Sequence, residues 1–135
     1  MIVDTSALLA FFDRDEPDHD AVASVLGGTT EPLIVSPFVV AELDHLVATR
    51  LGVDAEIATL HELSGGAWDL AALDTDDLTE LVPIIEKYRD QEIDVADASN
   101  VLLAARNDTR TIATLDRRHF TVLRPLAGGR FTVVP

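Results

Sequence analysis

Four carboxylates stand far apart in this 135-residue chain but in matching places. Asp4 follows the apolar pair Ile2-Val3, and Glu42 lies in the helical stretch after Leu33-Ile34-Val35. Asp116 ends the Thr114-Leu115-Asp116 segment that follows Thr111-Ile112-Ala113. Asp97 falls in the first turn of a helical stretch opening at Val95. Carboxylates gathered in one place disfavour each other's ionisation. A hard divalent cation relieves that cost, and Mg²⁺ suits one or two direct carboxylates, several waters and phosphate oxygens. Such an ion acidifies water and neutralises charge building on a phosphate, so the pattern points to phosphodiester hydrolysis at a site of one or two metals. Cysteine is absent, which leaves an all-oxygen donor set as the natural choice.

Each acid also has a simpler use. Asp4 suits the N-cap of the helix that follows it. Asp94 is the better N-cap for the helix at Val95, and Asp94, Asp97 and Asn100 share one face at spacing i, i+3, i+6. Glu42 shares a face with Phe38, His45 and Leu46, and periodicity does not choose between it and Asp44. Asp116 suits a turn ahead of Arg117-Arg118. Thr5 and Ser6 after Asp4, and Thr114 before Asp116, offer hydroxyls to carboxylates, water or phosphate, or serve as caps. His19, His45, His61 and His119 show no metal-ligand spacing and read as surface or packing residues, with only His119, near Asp116, worth testing. No GxxxxGK[ST] phosphate loop and no Ser–His nucleophile motif is present.

Short apolar runs alternate with helical patterns. Strands are expected at Ile2-Val3, Leu33-Ile34-Val35, Ala67 to Leu73, Thr111-Ile112-Ala113 and Phe131 to Val134. Helices are expected over residues 5–13, Asp18 to Leu26 (closed by Gly27-Gly28), Ser36-Pro37 to about Arg50, 54–64, Thr75 to Arg89 with a kink at Pro83, 95–107, and a short turn from Arg117 to Phe120. Strands separated by helices imply a parallel sheet covered on both faces. The expectation is a single α/β domain over residues 1–135, in three α/β/α layers. In such a sheet the strand ends and helix starts share one edge, where ligands bind.

The net charge of −14 argues against a polyanion as partner. The distribution qualifies this: Arg106, Arg110, Arg117, Arg118, Arg124 and Arg130 share the last thirty residues with only Asp108 and Asp116. No apolar run is long enough to span a bilayer and no basic stretch precedes the N-terminal apolar run. With no cysteine, a cytoplasmic setting and no membrane are the expectation.

The segments IVDTSALLAFF, SPFVVAEL, DVADASNVLLAA and TIATLDRRHF, in this order and spacing, resemble the PIN-domain ribonucleases, most nearly the VapC-type toxins of bacterial toxin–antitoxin pairs. The resemblance runs to the GGRFTVVP strand and implies a PIN-like three-layer domain with a parallel sheet of about five strands. It implies an acidic quartet of Asp4, Glu42, Asp97 and Asp116, with Asp4 and Asp97 as the most direct metal ligands. It adds hydroxyls at Ser6 and Thr114 and a polar helper at Asn100. It also implies Mg²⁺ or Mn²⁺, cleavage of structured RNA (tRNA or the sarcin–ricin loop of rRNA), a homodimer and a cognate VapB-type antitoxin. A bound metal adds positive charge where RNA binds; Arg117 and Arg118, beside Asp116, are expected to hold flanking phosphates, and Asn100 is expected as a further RNA contact. Two rival readings are a catalytically silent PIN-like partner module and a haloacid-dehalogenase-like phosphatase. The phosphatase wants a second Asp two residues after Asp4, where this chain has Ser6.

Overall fold

The computed structural model describes all of residues 1–135. Its elements run β1 (Ile2–Val3), α1 (Thr5–Phe12), α2 (His19–Gly28), β2 (Ile34–Val35), α3 (Pro37–Leu51), α4 (Val53–Leu63), β3 (Asp69–Leu70), α5 (Thr75–Lys87), α6 (Val95–Arg106), β4 (Thr111–Ala113), α7 (Arg117–Val122) and β5 (Thr132–Val134), with a 3₁₀ turn at Arg89–Gln91. The five strands form one parallel sheet in the order β3-β2-β1-β4-β5.

Strand alternation sends side chains to two cores. Val3, Val35 and Ala113 face one side, where Leu8, Val39, Leu43 and Trp68 pack. Ile2, Ile34 and Ile112 face the other, under Leu81, Ile84, Leu102 and Phe120. Helices α1 to α4 supply the first core, and α5 to α7 supply most of the second. Burial on both faces is why these strands read as unbroken apolar runs rather than as alternating ones.

The sheet grows outward from β1 to β2 to β3, and the chain then crosses over to add β4 and β5 on the far side of β1. The crossing makes the carboxyl end between β1 and β4 a topological switch point, where neighbouring connections leave in opposite directions and open a crevice. Val3 pairs with Ala113, so the chain leaves both strands at the same level.

Local chemistry sets the helix starts. Ser36 caps α3 by accepting from the Phe38 N–H at 3.2 Å, with Pro37 in the first turn. Reciprocal capping boxes start α5 (Asp74 with Asp77) and α6 (Asp94 with Asp97). Gly52, at φ 92°, separates α3 from α4 in a conformation that a side chain disfavours. Helix α2 absorbs Gly27 and Gly28 instead of stopping before them, because neither takes the positive φ of a helix-ending glycine and the chain becomes extended only at Thr29. Helix α5 continues through Pro83, which lies on its exposed side. Strand β3 is shorter than the apolar run around Trp68 suggests. It is an edge strand with both residues exposed, while Trp68 turns inward against Phe11, centroids 5.5 Å apart.

Candidate active site

The first strand ends at Val3, and Asp4 is the single residue that joins it to α1. Its backbone is extended like an N-cap, but its side chain makes no capping bond. The carboxylate instead accepts from three side chains: Asn100 Nδ2 at 3.0 Å, Thr114 Oγ1 at 2.8 Å and Ser6 Oγ at 3.0 Å. The two hydroxyls, themselves 3.1 Å apart, also accept backbone donors from the turn after β4. Leu115 N–H reaches Ser6 Oγ at 2.9 Å and Asp116 N–H reaches Thr114 Oγ1 at 3.0 Å. One buried carboxylate therefore organises the ends of both β1 and β4. Burial pushes the Asp4 carboxyl above its usual range, against the lowering effect of the Thr114 and Ser6 hydroxyls.

Asp97 stands on α6, which is buried all round from Ala96 to Ala104. A helix so enclosed holds its first turn firmly. Asp94 caps that turn by accepting the Asp97 N–H at 3.0 Å, and Asp97 returns a longer contact of 3.4 Å to the Asp94 N–H. Asp94 and Asp97 thus do not compete: Asp94 caps the turn, and both carboxylates line the crevice. Burial first, and then the charges of Asp94 and Asp4, push the Asp97 carboxyl up to about 7, with His119 opposing.

Asp116 caps α7 through Oδ1, which accepts the His119 N–H at 3.2 Å. Its Oδ2 lies 3.3 Å from His119 Nδ1, and the same nitrogen lies 3.1 Å from Asp97 Oδ2. Glu42, on the exposed side of α3, accepts from Thr5 Oγ1 at 2.5 Å. Asp44 points elsewhere, beside Glu56 of α4.

The four acids Asp4, Glu42, Asp97 and Asp116 line a single cleft of about 300 Å³ at the carboxyl edge of the sheet. Ser6 lines it too. Thr114 and Asn100 lie behind it, both fully buried. Asn100 therefore supports Asp4 and has no surface to offer RNA, contrary to the contact expected of it. Arg117 and Arg118 begin α7 next to Asp116, but neither lines the cleft. Arg117 donates to the Pro135 carbonyl and Arg118 Nη2 meets His119 Nε2 at 3.1 Å.

Two lining residues leave little signal in the sequence. His119 reads there as surface or packing and stands out only by its nearness to Asp116, because its approach to Asp97 crosses between elements and leaves no trace in spacing. Arg50, near the C-terminal end of α3, is the cleft's one guanidinium, 3.7 Å from Glu16. Nothing near Arg50 in the sequence marks it; it faces the cleft only because α3 runs alongside α1.

No three acidic or histidine side chains converge closely enough, as they stand, to form one coordination sphere. The donor chemistry nonetheless fits a hard cation. The set is oxygen-rich, and burial pushes two of its carboxyls, Asp4 and Asp97, above their usual range, a cost that a bound cation offsets. The amide oxygen of Asn100, buried beside Asp4, also has no partner.

The PIN domain family model matches residues 1–124. Ribonuclease VapC26 of Mycobacterium tuberculosis (strain ATCC 25618 / H37Rv) is 61% identical over 135 residues, covering 100% of each chain. The crystal structure of Mycobacterium tuberculosis VapC20, described as a sarcin–ricin loop cleaving toxin, superposes with a TM-score of 0.85. It does so over 99% of this chain and 98% of that one, at 16% sequence identity, so it speaks to the fold. From its first strand through the start of its C-terminal loop, this chain belongs to the PIN domain family, alongside the VapC-type ribonucleases.

Proposed function

We propose that this chain is a divalent-cation-dependent endoribonuclease that hydrolyses phosphodiester bonds in structured RNA, tRNA or rRNA, as the toxin of a toxin–antitoxin pair. The observation that carries the reading is the meeting of Asp4, Glu42, Asp97 and Asp116, from four separate elements, in one cleft at the switch point of the sheet. The full-length likeness to a ribonuclease supports the same reaction class. In this reading Asp4 and Asp97 hold Mg²⁺, with Mn²⁺ as a substitute, and Glu42 and Asp116 complete the set. When bound, the ion neutralises charge on the scissile phosphate and acidifies water.

The chain's own groups do the rest. Ser6, Thr114 and Asn100 hold the Asp4 carboxylate in one orientation by three donated hydrogen bonds. This preorganisation removes the cost of turning the carboxylate during reaction. Glu42 and Asp116, the more exposed acids, orient the attacking water and receive its proton. The water oxygen forms a bond to phosphorus, one P–O ester bond breaks, and the leaving oxygen takes up a proton. Arg50, which lines the cleft, is the phosphate contact favoured over Arg117 and Arg118, which do not. A homodimer and a VapB-type antitoxin that covers the cleft belong to this proposal, supported by the likeness to a VapC protein.

Cleavage of total RNA by the purified chain tests the reading. Chelation with EDTA is expected to abolish cleavage, and added Mg²⁺ or Mn²⁺ to restore it. Asp4→Asn, which keeps the shape and removes the charge, is expected to lower the rate by about 10²-fold or more. Cleavage that survives both treatments unchanged rejects the proposed chemistry. Growth arrest on expression that survives Asp4→Asn favours the silent partner-binding module instead.

A further inference from the structure

Asp116 is partly open to solvent, with 40% of its side chain exposed. A carboxylate so placed rotates freely unless something fixes it. Both close contacts to its side chain come from one residue: the His119 backbone N–H bonds Oδ1 at 3.2 Å, and His119 Nδ1 lies 3.3 Å from Oδ2. The same Nδ1 reaches across to Asp97 on α6. The other ring nitrogen, Nε2, faces Arg118 Nη2. A guanidinium only donates, so Nε2 is the acceptor and the neutral ring carries its proton on Nδ1. That nitrogen is the one that lies 3.1 Å from Asp97 and 3.3 Å from Asp116. Arg118 thereby sets the tautomer, and the tautomer sets what His119 can hold.

We infer that His119 is a positioning residue, which clamps Asp116 and ties it to Asp97 so that the acids of α6 and α7 keep one spacing across the cleft. The inference rests on the metal-dependent reading above. It gives Arg118 a task distinct from the phosphate contact expected of it: its guanidinium orients the imidazole. His119 itself is not a ligand in this account. Its ring is only 13% exposed and its donor nitrogen is taken up by the carboxylates.

The test compares three variants of the full chain by calorimetric titration with Mn²⁺ alone, alongside RNA cleavage and a thermal melt. His119→Ala removes the clamp. His119→Asn keeps an N–H donor near the position of Nδ1, whereas His119→Gln moves the donor out towards Nε2. His119→Ala is expected to weaken Mn²⁺ binding about 10- to 100-fold, the range seen when supporting groups behind metal ligands are lost. His119→Asn is expected to recover most of that loss, and His119→Gln little of it. The cleavage rates should follow the same order. If His119→Ala melts out, the order of Asn above Gln still decides. Wild-type binding with His119→Ala equal to it or tighter overturns the clamp alone, as does Gln matching Asn. Failure of the wild-type chain to bind Mn²⁺ overturns the metal-dependent reading and this inference with it.

Discussion

Asp97 carries three relationships at once: a capping contact to Asp94, a tie to His119 and a place in the acid cleft. Their combined effect on its proton has a measurable consequence. With a folded pKa of about 7 against 3.8 for the free side chain, the folded chain holds a proton there that the unfolded chain has released. Stability from this group is fully present below about pH 3.8 and falls as the pH rises through about 7. Thermal melts in EDTA from pH 4.5 to 8 are therefore expected to show wild type losing stability relative to Asp97→Asn as the pH rises. Saturating Mg²⁺ should reduce that loss. A pH-independent difference between the two proteins would show that Asp97 titrates normally. At this scale the sequence was informative about which acids could meet, because each follows a strand or opens a helix. It was silent on Arg50 and on the roles of His119, since contacts that cross elements have no period. The same holds for Ser6 and Thr114. Their types suggested hydrogen bonding, but only the fold shows each hydroxyl donating to Asp4 while accepting from the turn that carries Asp116.

Helix α6 is the element on which the cleft depends most. It is enclosed from Ala96 to Ala104 and touches both cores through Ala96 and Ala98. The hydroxyls of Ser36 and Ser99, 2.6 Å apart and fully buried, link it to the start of α3. Its first turn is set by Asp94, and cap chemistry makes a sharp prediction. Asp94→Ala is expected to cost about 1 kcal/mol in denaturant unfolding, because the Asp97 N–H loses its acceptor. Asp94→Ser keeps a cap of similar strength while removing a negative charge from beside Asp97. It should therefore unfold close to wild type and bring the Asp97 carboxyl down, which carbon-detected NMR titration would read directly. Equal destabilisation by Ala and Ser would mean that the charge of Asp94, rather than its cap, holds the turn. The elements themselves were largely readable from apolar runs and caps. The central strands came through because burial on both faces leaves them no polar residues. Strand β3 is shorter than its apolar run implies because the residues around Trp68 feed a core rather than a ladder, and only Asp69 and Leu70 pair as strand.

The whole molecule poses the sharpest physical problem: a surface of net charge −14 that is to meet RNA. The arginines crowded into the last thirty residues suggest a basic face, but the fold disperses them. Arg106 pairs with Asp77 and Glu80 on α5, and Arg124 donates to the carbonyls of Thr121, Val122 and Leu123 at the end of α7. Arg110 packs over Gly129, close enough that a Cβ there would strike its guanidinium. Arg117 and Arg118 are held by Pro135 and His119. What faces the cleft is Arg50 among five acids. Affinity for RNA without a divalent cation should then be weak and should release few counterions. Each phosphate neutralised on a single strand contributes about −0.7 to the slope of log K against log salt. Fluorescence anisotropy of Asp4→Asn with a labelled single-stranded RNA, in EDTA, is expected to give a slope between about 0 and −1.5, the range for one or two contacts. Arg50→Ala should flatten it further. A slope steeper than about −3 would require a basic surface that this monomer does not display, and would point to a groove assembled between two copies of the chain.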